Sequence, residues 1–285
     1  GNNISNAGTD GYSQQSVVQV DQVGQNNGRY TMGTGVDVTS VQRAYSQYLT
    51  QSVWSSYSGM QGASTTNDLN TALNGLLKNS GNLQSSLDTF YGAFNAVANA
   101  PQDPSARQAA LGDAAALVQT FNTFGQQLDQ QRQQINTQIS DTVGNINSLA
   151  KQIAALNTSI SQAGNTQPNA LLDQRDSLVK QLAGATGISV AAQPDNTLSI
   201  YSTSGQTLVS GGYSYGLQAG GSPYDSGTTD VLNASGTDIT SSLSGGSLGA
   251  LLSYRTNTLD PAQNQLGRAA LALAQGVNGQ QAKGL

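Results

Sequence analysis

Residues 121–160 read FNTFGQQLDQQRQQINTQISDTVGNINSLAKQIAALNTSI. Phe121, Leu128, Ile135, Leu149 and Leu156 fall on one seven-residue period, with Thr142 as its single polar step. A second row, Ile139, Ile146, Ile153 and Ile160, follows four residues behind Ile135 and its successors. Two apolar rows offset in this way make the a and d seam of a helix packed on another helix. The helix extends upstream, because Asp103 can cap free amides and Pro104 suits the first helical position. No proline then occurs until Pro168. About 60 residues at roughly 1.5 Å each span about 90 Å. Propensity alone does not hold a helix of that length, so partners must cover the seam. Gly112, Gly125 and Gly144 each cost about 1 kcal/mol relative to alanine; they are expected to mark bends or close helix contacts.

A partner row lies downstream. Leu252, Leu259, Leu266 and Leu273 repeat every seven residues and keep phase across Asp260-Pro261, so one kinked helix is predicted there. The seam could serve an oligomer, but the returning row in the same chain favours an intramolecular hairpin. Upstream, Leu83, Leu87, Phe90, Phe94 and Val97 predict a helix ending before Pro101. Val41, Tyr45, Tyr48, Leu49, Val53, Tyr57 and Met60 recur at threes and fours, predicting a helix from about Val38 with one buried face. Tyr45, Tyr48, Tyr57 and Trp54 also suit a partner-binding face, although core packing is the favoured expectation. Residues 1–35 are rich in Gly, Asn and Ser, with a β-like patch at Val17, Val18 and Val20, and read as extended chain and turns.

A short helix is expected over 171–182, after which the period changes to two. Residues 188–190 and 197–201 flank Gln193-Pro194-Asp195-Asn196 as a hairpin, and 207–209 and 213–217 supply further strands. The fold class is therefore α+β, mainly α: an elongated antiparallel long-helix bundle with a small inserted β domain. Its expected parts are an extended segment 1–35, a long-helix bundle 36–187, a β-rich insertion 188–245 and a returning helix 246–285. The insertion is expected to be separable from the helices.

Composition narrows the function. The chain has 285 residues, of which 36% are hydrophobic and 9% charged, against a typical charged fraction of about 25%. A surface this sparsely charged does not repel copies of itself strongly. There is no histidine and no cysteine. That removes the imidazole base, the thiolate nucleophile, the ordinary zinc and haem ligands and any disulfide framework. No cofactor or metal is expected. With net charge −5 and 11 scattered basic residues there is no basic stripe for nucleic acid. No apolar run approaches the roughly 20 residues of a membrane helix. Leu172-Asp173-Gln174-Arg175-Asp176 is the densest charge cluster; modest surface ion pairs are the favoured reading over acid–base chemistry. No serine has a histidine to activate it, and the glycines and lysines follow no nucleotide-binding pattern. No catalytic constellation is predicted.

Asn2-Asn3-Ile4-Ser5-Asn6-Ala7-Gly8-Thr9-Asp10-Gly11-Tyr12 resembles the amino-terminal signature of bacterial flagellar rod, hook and hook-associated proteins. Rod and hook proteins turn largely to β structure after it, whereas a long helical region follows here. Asp103-Pro104-Ser105-Ala106-Arg107-Gln108, Leu171-Leu172-Asp173-Gln174-Arg175-Asp176 and Gly246-Ser247-Leu248-Gly249-Ala250-Leu251-Leu252-Ser253-Tyr254-Arg255 are similar to stretches of the hook-associated protein 1 family. The likeness runs nearly end to end. It implies an extracellular structural subunit of the flagellum, exported by the flagellar type III pathway and assembled as a ring between hook and filament. The implied partners are copies of itself, the hook protein, the next hook-associated protein and an export chaperone for the carboxyl-terminal part. On the family's pattern, 1–35 follow a truncated axial-core helix, and the carboxyl-terminal half is expected to be missing. That leaves an outer portion expected to be monomeric. Asn2, Asn3, Asn6, Gly11 and Tyr12 would form the assembly signature, with Gly11 at a positive φ and Asn3 and Asn6 bonded to local backbone. Two other readings are a secreted helical tip or translocator subunit of a type III injection system, which would lack that signature, and an enzyme with its site in the β segment.

Overall fold

The computed structural model describes residues 1–9, 11–23, 25–26, 28, 31–32, 34–79, 81–164 and 168–283; Asp10 of the signature lies outside them. In chain order the elements begin with α1 (Asn2–Ser5), β1 (Gln15–Asp21), β2 (Gln25–Asn26), β3 (Thr31–Met32) and β4 (Val36–Arg43). Four helices follow: α2 (Gln47–Asn79), α3 (Gly81–Asn99), α4 (Pro104–Gln162) and α5 (Asn169–Ala185). Next come β5 (Ile188–Ala192), β6 (Leu198–Ser202), β7 (Thr207–Ser210), β8 (Tyr213–Ser214), β9 (Gln218–Gly221) and β10 (Thr229–Leu232). The described chain closes with α6 (Gly246–Tyr254), a π-helical turn Arg255–Leu259, and α7 (Asp260–Gln281). The fold is α+β and mainly α, with small antiparallel sheets.

Asp103 starts α4: its Oδ1 accepts the Ser105 N–H at 2.8 Å, while Pro104 gives up no bond at a position where the helix has none to give. The helix then runs 59 residues. Gly112 and Gly144 are not contact points, since a Cβ at either would meet nothing within 4 Å; at Gly125 it would lie 3.9 Å from Leu266 Cδ2.

The helical region does not start near Val38. Val36–Arg43 is a strand, paired antiparallel with β1 in a ribbon that bulges between Val18 and Gln19. Val36 and Val38 are two apart, the extended period, and Val38 and Val41 three apart, the helical one; the β-branched side chains with Thr39 favour the pleated backbone. The helix begins where Ser46 caps it, with the Leu49 N–H 3.5 Å from Ser46 Oγ. The expected buried face is also corrected. Tyr45, Tyr48, Leu49, Val53 and Met60 are exposed, Tyr57 is half-buried, and Trp54 and Ser58, one turn apart, face the core.

The chain divides into two units. The first comprises Gly1–Gly62, Thr142–Gln218 and Val231–Gly249. Its core takes Val143, Ile146, Leu149, Ile153 and Ile160 from α4, Val179 and Leu182 from α5, and Leu198, Ile200, Leu208 and Val209 from the sheet; all are buried. Leu156 of the seam is half-buried. The sheet is a meander in the order β5-β6-β7-β8, its first turn closed by Asn196 at φ 63 with Asp195 Oδ1 accepting from the Thr197 N–H. This sheet is no appendage. Asn157 of α4 donates to the Leu198 carbonyl at 2.8 Å and to that of Gly211 at 2.9 Å, and accepts the Leu198 N–H at 3.1 Å. Asn147 holds both peptide groups of Leu217 at 2.8 Å. Main chain also meets main chain after α5: Gly187 donates to the Ser244 carbonyl at 3.0 Å. Gly246, at φ 61, sits where a Cβ would come 2.5 Å from Thr186 N. Only glycine fits there.

The second unit comprises Ala63–Asp141, Ala219–Asp230 and Ala250–Leu285. Leu128, Ile135 and Ile139 of α4 and Leu251, Leu252 and Leu259 of the returning helix are buried, whereas Phe121, Leu266 and Leu273 are half-buried. Gln263 donates to Asp129 at 3.0 Å and Gln131 donates to Tyr254 at 3.2 Å, so α4 and the returning helix run in opposite directions. Tyr254 in turn donates to the Leu69 carbonyl at 3.2 Å. The helix is continuous at Pro261, as the leucine phase requires. The strain that proline imposes is taken up by the π turn before it, where the Asp260 N–H reaches back five residues to Arg255. Arg255 is buried, donates to the Thr229 carbonyl and lies 3.7 Å from Asp230. Asn136 donates to the Gly227 carbonyl at 2.7 Å and accepts from the Thr229 N–H at 3.2 Å.

Candidate functional site

The signature residues form one hydrogen-bonded knot. Asn2 and Asn3 lie in α1, and the Asn6 side chain donates to the Asn2 carbonyl at 3.1 Å. Asn3 does most of the tying. Its Nδ2 donates to the Gln15 carbonyl at 2.8 Å, while its Oδ1 accepts the Gln15 N–H at 3.0 Å and the Tyr12 hydroxyl at 2.8 Å. A carboxamide can present a donor and an acceptor side by side, as a peptide in a strand does; few other side chains can. Gly11 sits at φ 82, and a Cβ there would lie 3.5 Å from Ser177 Cβ. The short helix was not expected; the positive φ and the asparagine-to-backbone bonds were.

The knot rests on one face of α5. Asn169, Asp173, Asp176 and Ser177 are spaced by four, three and one, so they share that face. Asn169 donates to the Val41 carbonyl at 2.7 Å. Asp173 accepts the Ser13 N–H at 3.1 Å and Arg43 Nη1 at 3.0 Å; Asp176 accepts Arg43 Nη1 at 2.6 Å. Arg43 also stacks over the Tyr45 ring, 4.4 Å from its centroid. The charge cluster is therefore not a set of surface pairs within one helix. Asp173 and Arg175 are buried, and the partner that matters, Arg43, lies 130 residues away. Arg175 turns the other way, towards Asn157 at 3.5 Å and the Asn196 carbonyl.

Burial raises the Asp176 carboxyl above its ordinary pKa, and the neighbouring Arg43 and Arg175 only partly offset this. Burial likewise lowers Arg175. Asp176 Oδ1 and Arg175 Nε make no hydrogen bond and face each other at 3.9 Å. Attraction across that gap is offset by the cost of taking both charges out of water. Among the described residues no group of three or more acidic side chains could hold a metal ion. None of the helices among the described residues is long and apolar enough to cross a membrane.

The sequence reading missed Arg43 as the partner of Asp173, and it missed the asparagines at 136, 147 and 157. Their spacing of about three helical turns on a helix whose apolar rows are elsewhere was the available signal. The seam residues do not gather at this knot; they are spread along α4 and the returning helix through both units.

Comparison with known proteins decides the family. The model of the flagellar hook-associated protein FlgK helical domain matches residues 68–285. The chain belongs to the flagellar hook-associated protein 1 family. It is 36% identical to flagellar hook-associated protein 1 of Salmonella typhimurium, over 99% of the chain and 53% of that protein. Identity to the Escherichia coli protein of the same name is 33%, over 99% and 54%; to that of Bacillus subtilis it is 30%, over 67% and 40%. The solved flagellar hook junction protein FlgK from Burkholderia pseudomallei superposes with a TM-score of 0.70 at 35% identity, covering 79% of this chain and 43% of that one. The chain spans about half the length of these hook-associated protein 1 relatives.

Proposed function

We propose that this chain is part of a structural subunit of the bacterial flagellum, built into the junction ring between hook and filament. The observation that carries the reading is hook-associated protein 1 likeness over 99% of the chain, signature included. The signature is folded into a defined knot, and no histidine or cysteine supplies a catalytic alternative. The partners are copies of the subunit, the hook protein and the next hook-associated protein, with an export chaperone for the carboxyl-terminal part of the whole protein. The subunit leaves the cell by the flagellar type III pathway and works outside it, as a structural part and not an enzyme.

Complementation tests this. A strain deleted for its own junction protein, supplied with the full-length protein containing this chain, should regain attached filaments and swim. Secretion of the protein without any gain in attached filament would overturn the reading.

A further inference from the structure

Among the described residues 1–9, 11–23, 28 and 34–43 no apolar side chain is buried, and the first core residue after them is Trp54; the Arg43 side chain, at 9% exposure, is the covered one. The ribbon of β1 and β4 shows its valines to solvent: Val17, Val20, Val36 and Val38 are each more than half exposed. What fastens this segment to the first unit is polar and falls on one helix face. Asn169 holds the Val41 carbonyl, Asp173 holds Ser13 and Arg43, and Asp176 holds Arg43 again. Within the segment the ties are internal, from the ribbon's ladder and the knot around Asn3. A part with strong internal bonding, few buried apolar contacts and a small set of anchors opens locally, at less cost than global unfolding.

We propose that the signature and the ribbon of β1 and β4 form a strap that lifts from α5 as one piece, with Arg43 between Asp173 and Asp176 as its latch. The signature and the ribbon leave together because both are fastened to the same two carboxylates' helix face. The core beneath keeps its packing, since the signature and the ribbon contribute no buried apolar side chain to it. Such a strap lets the chain redirect its amino-terminal end without repacking the unit that carries it.

Hydrogen exchange read by mass spectrometry on the 285-residue chain tests this. In the parent, amides of 15–21 and 36–43 should exchange at least about tenfold faster than those of 146–160 and 198–202, and with little response to low urea, because a local opening exposes little surface. Arg43→Met removes the latch and should speed the strap's exchange by a further factor of at least about ten, leaving the other two stretches unchanged. Arg43→Lys, which keeps the charge, should fall between. Strap and core amides exchanging together in the parent would overturn the proposal. So would a strap whose exchange is the same in parent and both variants, or variants that speed both regions alike.

Discussion

Asn3 satisfies both peptide groups of Gln15 and anchors Tyr12, so three bonds depend on one side chain. Gly11 is the other pivot, because a φ of 82 is a conformation β-branched residues reach only at a cost. Gly11→Val in the full-length protein is expected to leave the helical units folded while cells shed filaments and lose motility. Normal swimming with a normal amount of attached filament would show that the turn tolerates any residue. Asp176 gives a prediction in pH. Its folded pKa lies above its ordinary value, so the native state holds this proton more tightly than the unfolded chain. The stabilisation it brings is present in acid and is lost as pH rises through the folded pKa. Asp176→Asn removes that dependence. The stability of the variant minus that of the parent should therefore grow from the acid side of the carboxylate range to neutral pH, as read from urea denaturation. A difference that shrinks instead would mean that Arg43 outweighs burial.

At the level of elements, α4 is legible because its apolar rows cannot be placed on any other backbone. Phe121 to Ile160 keep their period through polar neighbours that a strand would expose on the wrong face. Ile146 and Ile153 have no exposed surface at all, so Ile146→Ala or Ile153→Ala should cost roughly 2–5 kcal/mol in urea unfolding. Leu111, on the same helix but exposed, should tolerate alanine within about 0.5 kcal/mol. β4 was illegible for a physical reason. Val38, Val41 and Tyr45 sit three and four apart whether the chain is extended or coiled, and only the pairing with Val17 and Gln19 settles which. The latch was hidden in the same way. Asp173 and Asp176 are plain in the sequence, but nothing local shows that Arg43 reaches them. The sheet's attachment likewise depends on contacts between distant residues. Replacing 188–244 by a short linker is now expected to reduce the helical signal in circular dichroism, since Asn157 and Asn147 would lose the main-chain groups of Leu198, Gly211 and Leu217 that they hold. A helical signal equal to that of the parent outside the deleted span would restore the separable reading.

For the whole molecule the sparse charge matters more than its sign. With 9% charged residues, long-range repulsion between copies is weak, and association depends on whether apolar seams are already closed. Within each unit most of the seam is: Ile146, Ile153 and Ile160 in the first and Leu128, Ile135, Leu252 and Leu259 in the second are buried, while Leu156, Phe121, Leu266 and Leu273 are half-buried. The 285-residue chain should accordingly sediment as a monomer at high concentration. A stable defined oligomer would show that exposed side chains such as Leu111, Val118 and Leu271 are enough to recruit copies.

The asparagine clasps at 3, 136, 147 and 157 share a property that concerns evolution as much as mechanics. Each grips main-chain groups, at Gln15, at Gly227 and Thr229, at Leu217 and at Leu198, and every residue but proline carries the same groups. Asn3 also holds the Tyr12 hydroxyl and Asn157 faces Arg175, but at Asn136 and Asn147 a substitution on the gripped side leaves the bond intact, so the asparagine has no partner identity to track. Pairwise covariation between homologues, the statistical trace by which contacts are usually recovered from alignments, should therefore be silent at these two positions. They should appear there as columns of unchanging asparagine beside freely drifting neighbours.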